Sequence, residues 1–190
     1  MTRLAFRPLR PSLMECMGEV LRGSWGAGCW CMFPRLAGEA NEIGSAGRRA
    51  AMTRLARRRR APGLLAFEGR EPVGWVAIAP RREFRRIERS RATPRVDDVN
   101  VWVIPCITVR PDARGRGIAQ ALIRAAVTYA GKHGAPAVEA YPRAGSARTA
   151  DDNAFFGTEP MFRRAGFRVV RKAGKAAGRL PRVTMRRAPR

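Results

Sequence analysis

The segment Arg114-Gly115-Arg116-Gly117-Ile118-Ala119 carries the most specific chemistry in this 190-residue chain. Two glycines one residue apart, placed directly before an apolar run of helical spacing, let the backbone approach a ligand with no Cβ in the way. Amide N–H groups then converge with the positive end of the following helix, and a diphosphate is the anion that such a loop suits. Arg114 and Arg116 add neutralising charge.

Other reactive side chains give weaker patterns. Cys16, Cys29, Cys31, Cys106 and the single histidine, His133, do not make a zinc site, because Cys29-Trp30-Cys31 leaves one residue between its thiols and no second pair follows. No metal is expected. An extended segment there would put Cys29 and Cys31 on one face. Cys106 sits where Pro105 interrupts a β-rich run and could act as a nucleophile, but His133 falls at the far end of the next helix, so packing is the favoured role.

These residues need elements to position them. Val101 to Val109 reads as a strand bulged or opened at Pro105, which cannot donate to a ladder. Ile118, Ala121, Leu122, Ala125, Ala126 and Tyr129 keep helical spacing up to His133, with Gly134 as C-cap, and Ala137 to Tyr141 is the next strand. Upstream, Leu4 to Arg7 forms a strand, a helix runs from Pro11 to about Leu21, and Asn41 caps a helix to about Arg60 that includes Ile43. Leu64 to Phe67 and Val73 to Ile78 form a hairpin around the turn at 68–72. Residues 80–98 read as a polar, partly helical excursion, and Trp25, Trp30, Met32 and Phe33 as an apolar cluster. After a loop at 144–152, Thr158 caps a short helix closed by Gly166, and 167–170 pairs with 182–185. The order implies an α/β (α+β) fold: a mixed, mostly antiparallel sheet of six to seven strands with helices on both faces.

Composition sets limits. The chain has 38 basic and 15 acidic residues and a formal net charge of +23, which by itself would suit a nucleic-acid or anionic-surface partner. Only Lys132, Lys172 and Lys175 among the basic residues are lysines, a bias that composition of the genome can produce. Most arginine runs also lack the aromatic neighbours that stack on bases, Phe84 being the main exception, so nucleic acid is not favoured. No membrane span or signal peptide is evident and a cytoplasmic location is expected.

The strand end Ile107-Thr108-Val109, the turn Arg110-Pro111-Asp112-Ala113, the glycine loop and the amphipathic helix together resemble the acetyl-CoA-binding core of the GNAT N-acetyltransferase superfamily. Met161-Phe162-Arg163-Arg164-Ala165-Gly166-Phe167 resembles its helix-to-strand signature near the C-terminus. The likeness of Cys29-Trp30-Cys31-Met32 and of the hairpin is to a less characterised bacterial subgroup. The resemblance implies one domain over 1–190, with 1–100 on the acceptor side and 101–190 holding the cofactor core and final hairpin. It implies an acetyl-CoA cosubstrate on Ile107, Thr108, Val109, Arg114, Gly115, Arg116, Gly117, Ile118 and Ala119, with the pantetheine arm in a gap between strands 101–109 and 137–141.

The resemblance further implies direct attack by a primary amine, expected to be that of a small molecule. A macromolecular amine, or a non-catalytic nucleic-acid-binding module on the same fold, are the alternatives, and a homodimer is common in the superfamily. Where relatives carry a glutamate base, Val101-Trp102-Val103-Ile104 has no carboxylate, which leaves Asp97, Asp98 and Glu139 as reachable bases. The tyrosine that protonates the departing thiolate in many relatives is replaced by Phe162, and Tyr141 is the candidate substitute.

Overall fold

A computed structural model describes residues 4–23, 27–145, 155–172 and 181–189. Leu4–Pro8 (β1), Gly63–Glu68 (β2) and Glu71–Ala77 (β3) pair antiparallel in that order. Successive side chains of a strand point to opposite faces, so Leu64, Ala66, Val76 and Ile78 belong to one core and Leu65, Phe67, Trp75 and Ala77 to another. That alternation decides which helix meets which face.

On the second face lies Met14–Leu21 (α1), whose Met17, Val20 and Leu21 are buried. Phe33–Leu36 (α2), Glu39–Glu42 (α3) and Gly44–Ala56 (α4) follow it in the chain. Arg85–Glu88 (α5) interrupts the 80–98 excursion. On the first face lies Ile118–Lys132 (α6), with Ile118, Leu122, Ala126 and Ala130 turned inward at helical spacing. Gly74 permits its close approach: a Cβ there would stand 2.9 Å from Leu122 and 3.2 Å from Ile118. Burial of each such leucine or isoleucine contributes about 1.5–3 kcal/mol.

The remaining strands are Ala79–Pro80 (β4), Trp102–Ile104 (β5), Ile107–Val109 (β6), Val138–Ala140 (β7), Arg168–Arg171 (β8) and Thr184–Arg187 (β9). They complete two sheets, β1-β2-β3-β6 and β4-β5-β7-β9-β8, in which β5 with β7 is the parallel pair and every other named pair is antiparallel. The break at Pro105 therefore does more than bulge a strand. It lets β5 stay with β7 while β6 crosses to β3, and the sheets part there.

The long helix expected over 41–60 is broken. Ile43, 40% exposed, falls between α3 and α4, Gly44 opens α4 at φ +61°, and Asn41 lies inside α3 without capping anything. Thr158 does precede Glu159–Arg164 (α7) in extended backbone, but its hydroxyl makes no capping bond. Arg81, read as part of a polar excursion, is 3% exposed. Trp25 and most of the 144–152 loop lie outside the described residues. Among the described residues no helix is long and apolar enough to cross a membrane.

Candidate functional site

Backbone alternation along β6 creates one wall of the site. Ala77 N–H donates to the Cys106 carbonyl at 3.0 Å and Arg110 N–H to the Val73 carbonyl at 3.0 Å. Between them Thr108 faces Trp75 in the register of the ladder. The peptide groups that bond across an antiparallel pair alternate with groups that face away, so those of Ile107 and Val109 turn from β3 toward the gap between the sheets. This is the row that an extended amide-bearing arm would pair with. The gap is a cavity of about 900 Å³ lined in part by Ile107, Thr108 and Val109.

The glycine loop forms the end of that cavity. Gly115 and Gly117 have φ of +78° and +76°, a left-handed conformation that favours glycine, and a Cβ at either would meet nothing within 4 Å. The space above them is open and belongs to the cavity, as do Arg114 and Ala119. Ile118 and Ala119 lie in the first turn of α6, whose amides have no helical carbonyl to bond. Ile118 turns its side chain into the core and can offer only its backbone. Arg116 is drawn off the cavity wall: it pairs with Glu68 at 2.9 Å and donates to the Ala113 carbonyl at 3.3 Å. Arg114 alone of the two arginines lines the cavity.

The carboxylates proposed from sequence as bases are committed elsewhere. Glu139 is 1% exposed and accepts from Tyr141 Oη at 2.7 Å and from Arg186 at 2.9 and 2.7 Å, with an Arg81 nitrogen at 3.8 Å. Asp97 takes two bonds from Arg186 at 2.6 and 2.9 Å, which hold its carboxyl below the usual range. Asp98 is exposed and off the cavity wall. No Asp, Glu or His is among the described residues that line the cavity.

Tyr141 does line it. Its hydroxyl donates to Glu139 and accepts from Arg81, and burial, reinforced by the Glu139 charge, pushes the phenol well above the ordinary tyrosine range. A hydroxyl so occupied is poorly placed to protonate a leaving group. Phe162 is fully buried and packs edge-on against Phe167 with ring centroids 5.1 Å apart.

Three thiols border the cavity: Cys29, Cys31 and Cys106. The segment is not extended, since Trp30 and Cys31 both have φ of +50°. This turn aims Cys31 at Trp75, whose indole N–H donates to the sulfur at 3.0 Å. A hydrogen bond with Cys106, and burial, raise the Cys31 thiol well above its usual range; burial raises Cys29 to about 11. Such thiols stay protonated at neutral pH and are poor nucleophiles. His133 lies tilted against Tyr129 with centroids 4.3 Å apart and is not among the residues lining the cavity beside Cys106. Among the described residues no group of side chains could hold a metal ion.

Sequence reasoning missed further lining residues: Arg86, Thr93 and Arg182 border the cavity, Arg182 beside Tyr141. Each sits in a segment read as polar surface or as a hairpin strand, and no spacing pattern marks them.

Residues 31–155 match the Acetyltransferase (GNAT) family model. No curated protein matches the chain in sequence. Among solved structures, the paiA N-acetyltransferase of Thermoplasma acidophilum in complex with coenzyme A is similar, with a TM-score of 0.58, 16% identity and 98% and 99% of the two chains covered. The ribosomal-protein-S18-alanine N-acetyltransferase of Escherichia coli is similar with a TM-score of 0.55, 11% identity and 98% and 94% covered. An acetyltransferase of Thermus thermophilus gives a TM-score of 0.51, 20% identity and 97% and 96% covered. The parted strands, the glycine loop before α6 and the family match over 31–155 agree, and the chain belongs to the GNAT family of acetyltransferases.

Proposed function

We propose that this chain transfers an acetyl group from acetyl-CoA to a primary amine of a small molecule, by direct attack within a ternary complex. The observation that carries the reading is the pair of left-handed glycines, 115 and 117, opening onto the cavity at the start of a 15-residue helix. The residues fit the cosubstrate: the space a Cβ would occupy is free, and the first-turn amides of α6 point their partial positive charge at a diphosphate. Ile107 and Val109 offer their backbone to the pantetheine amides, and 1–100 supplies acceptor-side wall through Arg86 and Thr93.

Acetyl-CoA bound there supplies an activated carbonyl and a thiol leaving group of ordinary pKa about 8.5. The chain's contribution is positioning and polarisation. The Ile107 N–H, free of β3, donates to the carbonyl oxygen where negative charge develops. Holding amine and thioester in one cavity removes the entropy cost of their encounter. As the amine nitrogen bonds to the carbonyl carbon and the bond to sulfur breaks, the amine proton passes to water, because no carboxylate of the described residues lines the cavity. The thiolate takes its proton from water as well, with Tyr141 Oη held by Glu139 and Arg81.

Gly117→Glu tests the cradle. A side chain in left-handed backbone and a negative charge beside the diphosphate should together abolish acetyl-CoA binding measured by calorimetry, with the circular dichroism of the fold retained. Undiminished affinity in the folded variant would mean that the loop is only a turn.

A further inference from the structure

We infer that the acceptor carries an anionic group, a carboxylate or a phosphate, close to its amine, and that Arg182, with Arg86 beside it, binds that group. This deepens the acetyl-transfer reading and rests on it. Arg182 lies just before β9 and lines the cavity, and its Nη1 donates to the Tyr141 carbonyl at 3.3 Å. Arg86, on α5, lines the same cavity.

What marks this cluster is the lack of counter-charge among the described residues. Burial weakens the hold of the Arg182 guanidinium on its proton, and the like charges of Arg143 and Arg86 weaken it further. The Phe156 ring, 3.4 Å from ring centroid to guanidinium carbon, offers its face in partial compensation. Arg143 bridges to Arg182 through the backbone, and its Nη1 is buried with no hydrogen-bond partner. Among the described residues no carboxylate pairs with Arg86, Arg143 or Arg182, although most other arginines near the core have one. Arg182, half-buried at the cavity beside two like charges and with no carboxylate partner among the described residues, costs stability, and a substrate anion reverses that cost.

Placement separates this anion from the cosubstrate. The diphosphate belongs at the Gly115–Gly117 end, where Arg114 lines the cavity. Arg182 is tied to the Tyr141 carbonyl and Arg86 lies on α5, so both belong to elements other than the β6–α6 unit that carries the glycine loop. An anion held by planar guanidinium groups fixes the rest of a small molecule in one orientation, which a wall of apolar residues cannot do.

The test uses the full chain saturated with CoA, which fills the cradle. Inorganic phosphate and acetate are titrated while the Arg Nε–H resonances are followed by NMR. Saturable binding that shifts the Arg182 signal and is lost in Arg182→Met supports the proposal; no saturable binding in the wild type overturns it. In parallel, L-leucine, L-phenylalanine and 2-aminoethylphosphonate are compared as acceptors with leucinamide, phenylalaninamide and ethanolamine. The anionic members should be preferred about 10–100-fold in kcat/KM, and Arg182→Met should erase the preference. Equal use of charged and neutral amines overturns the proposal. Calorimetry with acetyl-CoA separates the two readings: Arg182→Met should leave that affinity unchanged. A loss there assigns the arginines to the cosubstrate's phosphates and sinks the acceptor site alone, whereas wild-type failure to bind acetyl-CoA sinks the transferase reading.

Discussion

Two sets of arginines flank Tyr141, and they are built to opposite ends. On one side Arg81 is held by Glu88 at 2.5 Å and by the Thr93 carbonyl at 2.7 Å, while Arg186 bridges Glu139 and Asp97. On the other, Arg182 and Arg143 have a ring face and main-chain contacts but no carboxylate among the described residues. Charge that is matched within the chain holds the fold together; charge left unmatched at a cavity is reserved for something that arrives. Burial alone does not distinguish the two.

The largest expected effect comes from unmatching the first set. Glu139→Gln removes the carboxylate shared by Tyr141, Arg186 and Arg81, and denaturant unfolding should show a loss of about 3 kcal/mol, at the low end for a broken buried pair because Glu88 and Asp97 remain. A loss under about 1 kcal/mol would erase the contrast. Tyr141→Phe should cost about 1–2 kcal/mol by leaving Arg81 and Glu139 one hydrogen bond short. Its kcat should stay within about twofold of the wild type, since the hydroxyl faces the network; a fall of tenfold or more would restore Tyr141 as the proton donor.

Arg182→Met should move stability by less than about 1 kcal/mol or raise it, because an apolar side chain replaces a desolvated, unpaired charge. A loss comparable to that of Glu139→Gln would show that Arg182 is structural. The smallest effect belongs to the exposed Asp97. Its folded pKa lies below the ordinary 3.8, so its contribution is complete above that value and disappears as pH falls through the folded pKa. Asp97→Asn should therefore flatten the acid limb of the stability profile below about pH 4 and leave neutral pH nearly unchanged.

Much of the first sheet and of the cofactor wall was legible from local rules. Two apolar runs on either side of the turn at 68–72 gave the hairpin, Pro105 the parting of the strands, and the glycines at 115, 117 and 134 the two ends of α6. Those signals depend on neighbours in sequence. The roles of Glu139, Arg81 and Arg116 do not: they were read as a candidate base, as polar surface and as charge for the diphosphate, and each is taken up by a partner far along the chain, Arg186, Tyr141 and Glu68. Arg182 escaped notice for the converse reason, since its environment is defined by the carboxylates that are missing. The helix expected over 41–60 is present over 44–56; its expected start at Asn41 failed at Gly44, whose left-handed backbone outweighed the helical periodicity around it.

Pro105 and Cys106 interrupt the ladder between β5 and β6, so each sheet keeps its own set of strand pairings. Rotating one sheet slightly against the other would then break no rung of either ladder. Amide hydrogen exchange should resolve this as two cooperative units, β1-β2-β3-β6 with α6 and β5-β7-β9-β8, whose protection need not rise and fall together. The core that packs residues of both sheets against α6 ties the two units together, so coupled protection would show that packing outweighs the break in the ladder.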